Sequence, residues 1–99
     1  MFGGANMQQL MKQAKAMQEQ MERNKAELEA TVFTASSGGG MVTVNMNGKR
    51  VIESIKINPQ AVDSSDVEML EDLIAAAVND ANAQIEEKGK EMGPQIPGF

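Results

Sequence analysis

The stretch VTVNMNGKRVIESIKINP, residues 42–59, decides the fold because it encodes two strands and the turn between them. In the first segment, 41–46, Val and Met alternate with Thr and Asn, which is the period of a strand with one buried face. Asn47 and Gly48 follow directly, and this pair predicts a hairpin because both residues tolerate a positive φ. The next segment, 51–57, is rich in Ile and ends at an Asn-Pro pair. We therefore predict an antiparallel hairpin in the middle of the chain.

A further strand is predicted before this hairpin, over residues 31–36, which are rich in Val, Thr and Phe. Three consecutive glycines, 38–40, separate it from the next strand and predict a flexible turn. In the last strand the apolar residues Val51, Ile55 and Ile57 share a face with Glu53. Their alternation becomes regular only if a β-bulge shifts the register there.

The segment before the strands, residues 6–30, contains no Gly or Pro and consists mainly of strong helix formers. Its apolar residues recur with the a/d spacing of a heptad repeat, interrupted by Asn24 in one d position. We call this row the seam; its members are Met7, Leu10, Ala14, Met17, Met21 and Leu28. Such a helix is about 37 Å long, whereas a compact domain of this size is only roughly 30 Å across. We expect one end to protrude or to pack against a second copy.

The segment after the strands predicts a second helix. Ser65 and Glu68 have the spacing of a capping box, and acidic residues in the first turns complement the positive end of the helix dipole. An apolar stripe continues to about Met92. Gly93 and Pro94 then end the helix, and residues 93–99 are expected to form a loose or docked tail.

The predicted fold class is α+β, with the element order α-β-β-β-α and a three-stranded antiparallel sheet between two long helices. A length of 99 residues suits one domain, and we expect a single domain over residues 1–99.

The composition argues against an enzyme. The chain has no Cys and no His, which removes the thiolate nucleophile, the disulfide framework and the commonest zinc ligands. Of the nine methionines, Met7, Met17 and Met21 have the spacing of the seam, so we interpret them as helix-packing residues and not as metal ligands. The three glycines connect strand to strand, unlike a phosphate-binding loop. We expect no enzyme activity, no cofactor, no metal and no small-molecule substrate.

Hydropathy gives no indication of a membrane protein. No apolar run approaches the roughly 20 residues of a membrane span, and the first residues lack the pattern of a secretory signal. We therefore expect a soluble cytoplasmic chain with no membrane partner.

Charge is distributed unevenly, although the formal net charge is −5. Residues 1–30 are balanced, residues 31–60 are net basic, and the remainder holds nine acids against two lysines. The candidate DNA-binding side chains are Lys12, Lys15, Arg23 and Lys25 in the first helix, Lys49 and Arg50 at the hairpin tip, and Lys88 and Lys90 near the end of the second helix. Backbone contacts need only local positive potential, and dimerisation would double a small patch. Charge alone leaves nucleic-acid binding open.

Two long segments carry a family resemblance. LMKQAKAMQEQM (10–21) and EMLEDLIAAAVNDA (68–81) closely resemble the two helices of the YbaB/EbfC family of nucleoid-associated proteins. The resemblance continues through VTVNMNG (42–48), the INP stretch (57–59) and the tail rich in Gly and Pro. It implies a small bacterial protein that binds duplex DNA as a tweezer-like dimer, whose strands meet at a shared interface, and that alters DNA shape or expression.

The strands depart from the pattern of the relatives. Where those often carry basic residues, this chain has Thr43, Glu53 and Ser54. We therefore expect DNA contacts to come from the helices and the hairpin tip.

Together, these observations predict a homodimer in the cytoplasm and nucleoid that binds double-stranded DNA through phosphate contacts. Residues 1–99 are then expected to form a single nucleoid-associated DNA-binding and dimerisation domain. We expect the helix residues to contribute first and Lys49 and Arg50 next. One alternative stays open: a protein-interaction module that uses the Met-rich seam or the acidic second helix without touching DNA.

Overall fold

The computed structural model describes residues 4–92, with side chains from residue 6 onward. Its elements are α1 (Gly4–Ala30), β1 (Val32–Ser37), β2 (Val42–Asn47), β3 (Ile52–Ile57), a 3-10 turn (Pro59–Ala61) and α2 (Val67–Glu91). The α+β fold and the α-β-β-β-α order are thus confirmed. The predicted tail, residues 93–99, lies outside the described residues.

The sheet is antiparallel with the strand order β1-β2-β3, so β3 is an edge strand. Asn45 pairs with Ser54 and Met46 pairs with Ile52, which leaves Glu53 without a partner on β2. This irregularity is the β-bulge that the apolar spacing of the last strand required. As a result, Ile52 and the two later isoleucines of β3 all pair with core residues of β2.

The hairpin between β2 and β3 lies where Asn47-Gly48 predicted it, but the reason given for that pair was wrong. Arg50 is the one non-glycine residue with a positive φ, 67°, among those described, and its amide donates to the Asn47 carbonyl at 2.9 Å. Residues 48–50 therefore form a three-residue loop that ends in the left-handed region. Gly48 is needed for another reason: a Cβ there would overlap the carbonyl oxygen of Leu28.

The core lies between α2 and the first two strands. It contains Phe33 and Ala35 from β1, Val42, Val44 and Met46 from β2, Ala77, Ala81 and Ile85 from α2, and Leu28 from α1. Small alanines on the buried face of α2 let the helix lie close to the sheet. α2 leaves β3 uncovered, so the β3 face (Ile52, Ile55 and Ile57) remains 38–41% exposed.

The capping box predicted for α2 is not what caps it. Asp66 is the N-cap residue, and its Oδ1 accepts a hydrogen bond from the Met69 amide at 3.2 Å. Ser65, one residue before the N-cap, is hydrogen-bonded to Asp63 instead. Its hydroxyl donates to Asp63 Oδ1 at 2.6 Å, and its amide donates to the same oxygen at 2.9 Å. These two hydrogen bonds from Ser65 lower the pKa of the Asp63 carboxyl.

α1 is anchored to the folded body only near its carboxyl end and projects from the body over the rest of its length. Leu28 is buried in the core, whereas every residue from 6 to 20 is exposed. The molecule measures 78 × 17 × 16 Å, and its radius of gyration of 20.6 Å far exceeds the value of about 13 Å for a compact domain of this length. The predicted protrusion is confirmed, while a second copy against it stays a prediction.

No helix within the described range combines the length and apolarity that crossing a bilayer requires.

Candidate nucleic-acid interface

The exposed part of α1 carries positive charge with little acid. We call residues 6–20 the α1 arm; it holds Lys12 and Lys15 and a single acid, Glu19. Most of its other polar side chains are amides, which donate hydrogen bonds to phosphate oxygens without adding charge. They are Asn6, Gln8, Gln9, Gln13, Gln18 and Gln20.

Among the predicted cations, Lys12 and Lys15 are the most accessible to a phosphate. They are three residues apart on the helix and therefore share a side of it. Neither forms an ion pair with any residue in the range 4–92. Lys12 lies about 24 Å along the helix from Leu28, where α1 enters the body. The two lysines can therefore approach a polyanion while the body stays at a distance.

Near the base of the arm, three basic side chains contact other side chains. Arg23 donates to Gln20 Oε1 at 3.0 Å, a neutral contact that leaves its charge in place. Lys25 approaches Glu29 Oε1 at 3.9 Å, and Lys49 from the hairpin approaches Glu29 Oε2 at the same distance. One carboxylate thus lies between two lysines, at the same distance from each. Long exposed pairs of this kind contribute little and exchange easily for a phosphate.

Arg50 has a structural role in the free chain. Its Nη2 lies 2.8 Å from Glu86 Oε2, and its Nη1 donates to Asn82 Oδ1 at 2.9 Å. These contacts tie the β2–β3 hairpin to α2 across 36 residues of sequence. A phosphate would have to compete with Glu86 for the guanidinium group.

Lys88 and Lys90 lie in a more acidic setting near the end of α2. Lys88 is half-buried and lines a shallow depression with Phe33, Gln84, Glu87 and Glu91, whereas Lys90 is exposed. Neither lysine forms an ion pair within the described part of the chain. The neighbouring carboxylates reduce the positive potential that a phosphate would meet here.

The acidic start of α2 lies at the opposite end of the molecule from the α1 arm. Ser37, at the end of β1, donates from Oγ to the Leu73 carbonyl at 2.5 Å, which fixes the early turns of α2 beside the β1–β2 connection. α1 instead joins the body at the β2–β3 hairpin, where the Gly48 amide donates to the Thr31 carbonyl at 3.1 Å. The cationic and acidic ends are therefore separated along the 78 Å axis, which explains how an acidic chain can present a basic surface.

Comparison with known proteins shows the family to which the chain belongs. The model of the YbaB/EbfC DNA-binding family matches residues 2–98. The chain belongs to the YbaB/EbfC DNA-binding family. This is a family of DNA-binding proteins and not of enzymes, so the expectation that the chain is not an enzyme is confirmed.

Individual relatives are similar over almost the whole chain. A nucleoid-associated protein of Clostridium novyi is 52% identical over 105 residues, covering 100% of this chain and 92% of its own length. One of Alkaliphilus metalliredigens is 51% identical over 100 residues, covering 100% and 88%. The crystal structure of an uncharacterized Helicobacter pylori protein has the same fold, with a TM-score of 0.70, 24% identity and coverage of 93% and 94%.

In this member of the YbaB/EbfC family the open face of the sheet is polar and nearly uncharged. Thr34 donates to Asn45 Oδ1 at 2.6 Å, and Asn45 donates to Ser54 Oγ at 2.9 Å, so these side chains form a hydrogen-bonded row across the strands. Glu53, in the bulge, accepts from Asn47 Nδ2 at 3.3 Å. Neutral groups thus occupy most of this face, as the presence of Thr43 and Ser54 in the strands predicted.

Sequence reasoning left out one basic residue of that face. Lys56 pairs with Thr43 of β2, is exposed, and forms no ion pair within residues 4–92. Its position between Ile55 and Ile57 could have placed it there, because neighbouring residues of a strand point to opposite faces. Lys56 joins the candidates as an addition from the structure.

Proposed function

We propose that the chain binds double-stranded DNA as a homodimer in the nucleoid, mainly through phosphate contacts, and thereby alters DNA conformation and gene expression. Membership of a DNA-binding family supports DNA as the partner, and the names of the relatives support the location. The observation that carries the phosphate mechanism is the α1 arm, where Lys12 and Lys15 stand exposed with no acidic partner among the described residues.

The uncovered side of β3 supports the homodimer. β3 is a sheet edge, and the β3 face is 38–41% exposed although it continues the core side of the sheet. Unpaired edges with apolar side chains are surfaces that a second chain covers. A second copy docked at β3 would bury this face and present two α1 arms, which doubles the number of cations available to one duplex.

The basic residues divide into two ranks by their surroundings. Lys12, Lys15, Arg23, Lys25, Lys88 and Lys90 are proposed as the principal phosphate contacts. Lys49 and Arg50 follow; Arg50 is paired with Glu86 at 2.8 Å, and Lys49 shares Glu29 with Lys25. Within the first rank, Lys12 and Lys15 have no ion-pair partner among the described residues and lie beside a single acid of the α1 arm.

A gel-shift titration between low and moderate salt tests the proposal. Binding through phosphates releases counterions, so the affinity should fall steeply as salt rises. Replacing Lys12→Glu together with Lys15→Glu should weaken binding to every duplex tried, because phosphates carry no sequence information. Binding that is insensitive to salt would contradict the proposed mechanism.

A second candidate function is a protein-interaction module without DNA binding. The exposed seam residues of the α1 arm and the exposed acids at the start of α2 favour it, since both are surfaces that a protein partner could cover. Capture of one defined protein, combined with no gel shift even at low salt, would establish this function in place of the first.

A further inference from the structure

The α1 arm exposes large apolar side chains that its own folded body cannot reach. Met7, Leu10, Met11 and Met17 are 60–68% exposed. The body, residues 31–92, joins the helix only near Leu28. An apolar row of this size on a projecting helix marks an interaction surface.

Charges on the α1 arm are kept away from this row. The seam occupies heptad positions a and d, and the e and g positions beside it hold only uncharged residues: Met11, Gln13, Gln18 and Gln20. Lys12, Lys15, Glu19 and Glu22 all fall at the outer b and f positions. Charged e and g residues usually set which helices pair, so their absence removes any repulsion between identical helices.

We propose that the seam of the α1 arm packs antiparallel against the seam of a second copy, in an interface separate from the β3 face. The direction follows from the dimensions of the molecule. Packed helices lie about 8–10 Å apart, whereas the molecule is 17 × 16 Å in cross-section. Parallel arms would force two bodies into the same space, while antiparallel arms place them at opposite ends.

The residues of the seam are complementary in this alignment. When Ala14 lies opposite Met17 of the second copy, a small side chain faces a large one. In the same alignment Leu10 lies opposite Met21, so this layer is apolar as well. Asn24 then lies opposite Met7 at the rim of the contact. Its Oδ1 already accepts a hydrogen bond from Gln20 Nε2 at 2.8 Å, and at the rim its amide nitrogen stays open to water.

The area indicates a weak contact. From residue 7 to residue 24 the seam is about 26 Å long, and at a helix width of about 10 Å it covers about 260 Å² per helix. A stable interface buries about 800 Å² per partner. The seam contact therefore becomes effective where copies are concentrated, as on a DNA molecule. In that setting, which rests on the proposed function, it links neighbouring homodimers and makes binding cooperative.

Cysteine trapping tests the contact on the full chain, which has no native cysteine. Equal amounts of Ala14→Cys and Met17→Cys protein are mixed in a glutathione redox buffer, and the disulfides are counted by mass spectrometry. The proposal expects the mixed disulfide in several-fold excess over the two symmetric ones. A statistical mixture, or an excess of symmetric disulfides, overturns it. Lys12→Cys with Glu19→Cys, at matched heights on the outer face, should give the statistical mixture.

A second measurement separates this inference from the proposed function. Leu10→Gln with Met17→Gln should remove the concentration-dependent rise in mass above the homodimer in sedimentation, while binding of a single homodimer to a short duplex persists. Both positions are exposed and Gln is a good helix former, so circular dichroism should stay unchanged. Lys12→Gln with Lys15→Gln should leave the trapping yield unchanged. A mass profile unaffected by the Leu10 and Met17 changes overturns the inference whether or not DNA is bound.

Discussion

Neutralising two lysines of the α1 arm should remove most of the affinity for DNA. Lys12→Gln with Lys15→Gln deletes four cations from a homodimer that carries two arms. Each phosphate contact contributes about −0.9 to the slope of log affinity against log salt, so the slope should become less negative by about 3.6. With the affinity at 1 M salt unchanged, the same relation predicts a loss of about 3.6 orders of magnitude in affinity at 0.1 M salt. Fluorescence anisotropy with a short labelled duplex measures both quantities.

A matched variant separates the effect of where the charge is changed from the effect of the net charge. Ala75→Glu with Ala76→Glu lowers the formal charge from −5 by two, as the lysine changes do, but at exposed positions of α2. We expect its salt slope to equal that of the parent chain. Equal losses of affinity in the two variants would show that overall charge controls binding, and an unchanged slope in the lysine variant would refute phosphate contact by Lys12 and Lys15.

Four further predictions concern the fold and the dimer. Gly48→Ala should lower the free energy of unfolding by about 2 kcal/mol in denaturant melts, because its Cβ overlaps the Leu28 carbonyl; an unchanged midpoint would contradict the packing at this turn. Arg50→Ala should be less stable than Arg50→Gly by about 1 kcal/mol, since both lose the tie to α2 but only alanine keeps the left-handed strain. Asp66→Ala should cost about 1 kcal/mol and more than Ser65→Ala, and the reverse order would restore the capping box. Ile55→Lys on the β3 face should halve the mass measured by dilute sedimentation, and a mass that stays dimeric would exclude this face as the interface.

Features set by periodicity could be predicted from the sequence. The uninterrupted run of helix formers placed α1 within two residues of its observed start, and the mismatch around Glu53 predicted the bulge. The length of α1 against the size of a compact domain predicted the protrusion. Each of these rests on local spacing or on simple geometry, which the order of residues contains in full.

Features that depend on contacts between residues distant in the sequence could not be predicted in this way. The turn at Gly48 depends on the carbonyl of Leu28, and the tie of Arg50 depends on Glu86, 36 residues further along the chain. The N-cap of α2 was predicted one residue too early, because the Ser65 hydroxyl donates to Asp63 and does not cap the helix. For the candidate site, the basic residues other than Lys56 could be chosen from the sequence, but only the fold separates those with acidic partners from those without.

The separation of charge along the molecule has a consequence for how it meets DNA. Electrostatic influence in physiological salt decays over about 8 Å, a small part of the 78 Å length. A duplex close to Lys12 is therefore insensitive to the carboxylates at the far end, and the overall sign of the protein has no bearing on contact. At longer range and lower salt the chain behaves as an electric dipole. The field of the duplex then orients the chain so that the lysines of the α1 arm point toward the DNA. Once bound, it presents its negative end outward, and a nucleic acid coated in this way would repel a second coated strand unless the coating copies join through their arms.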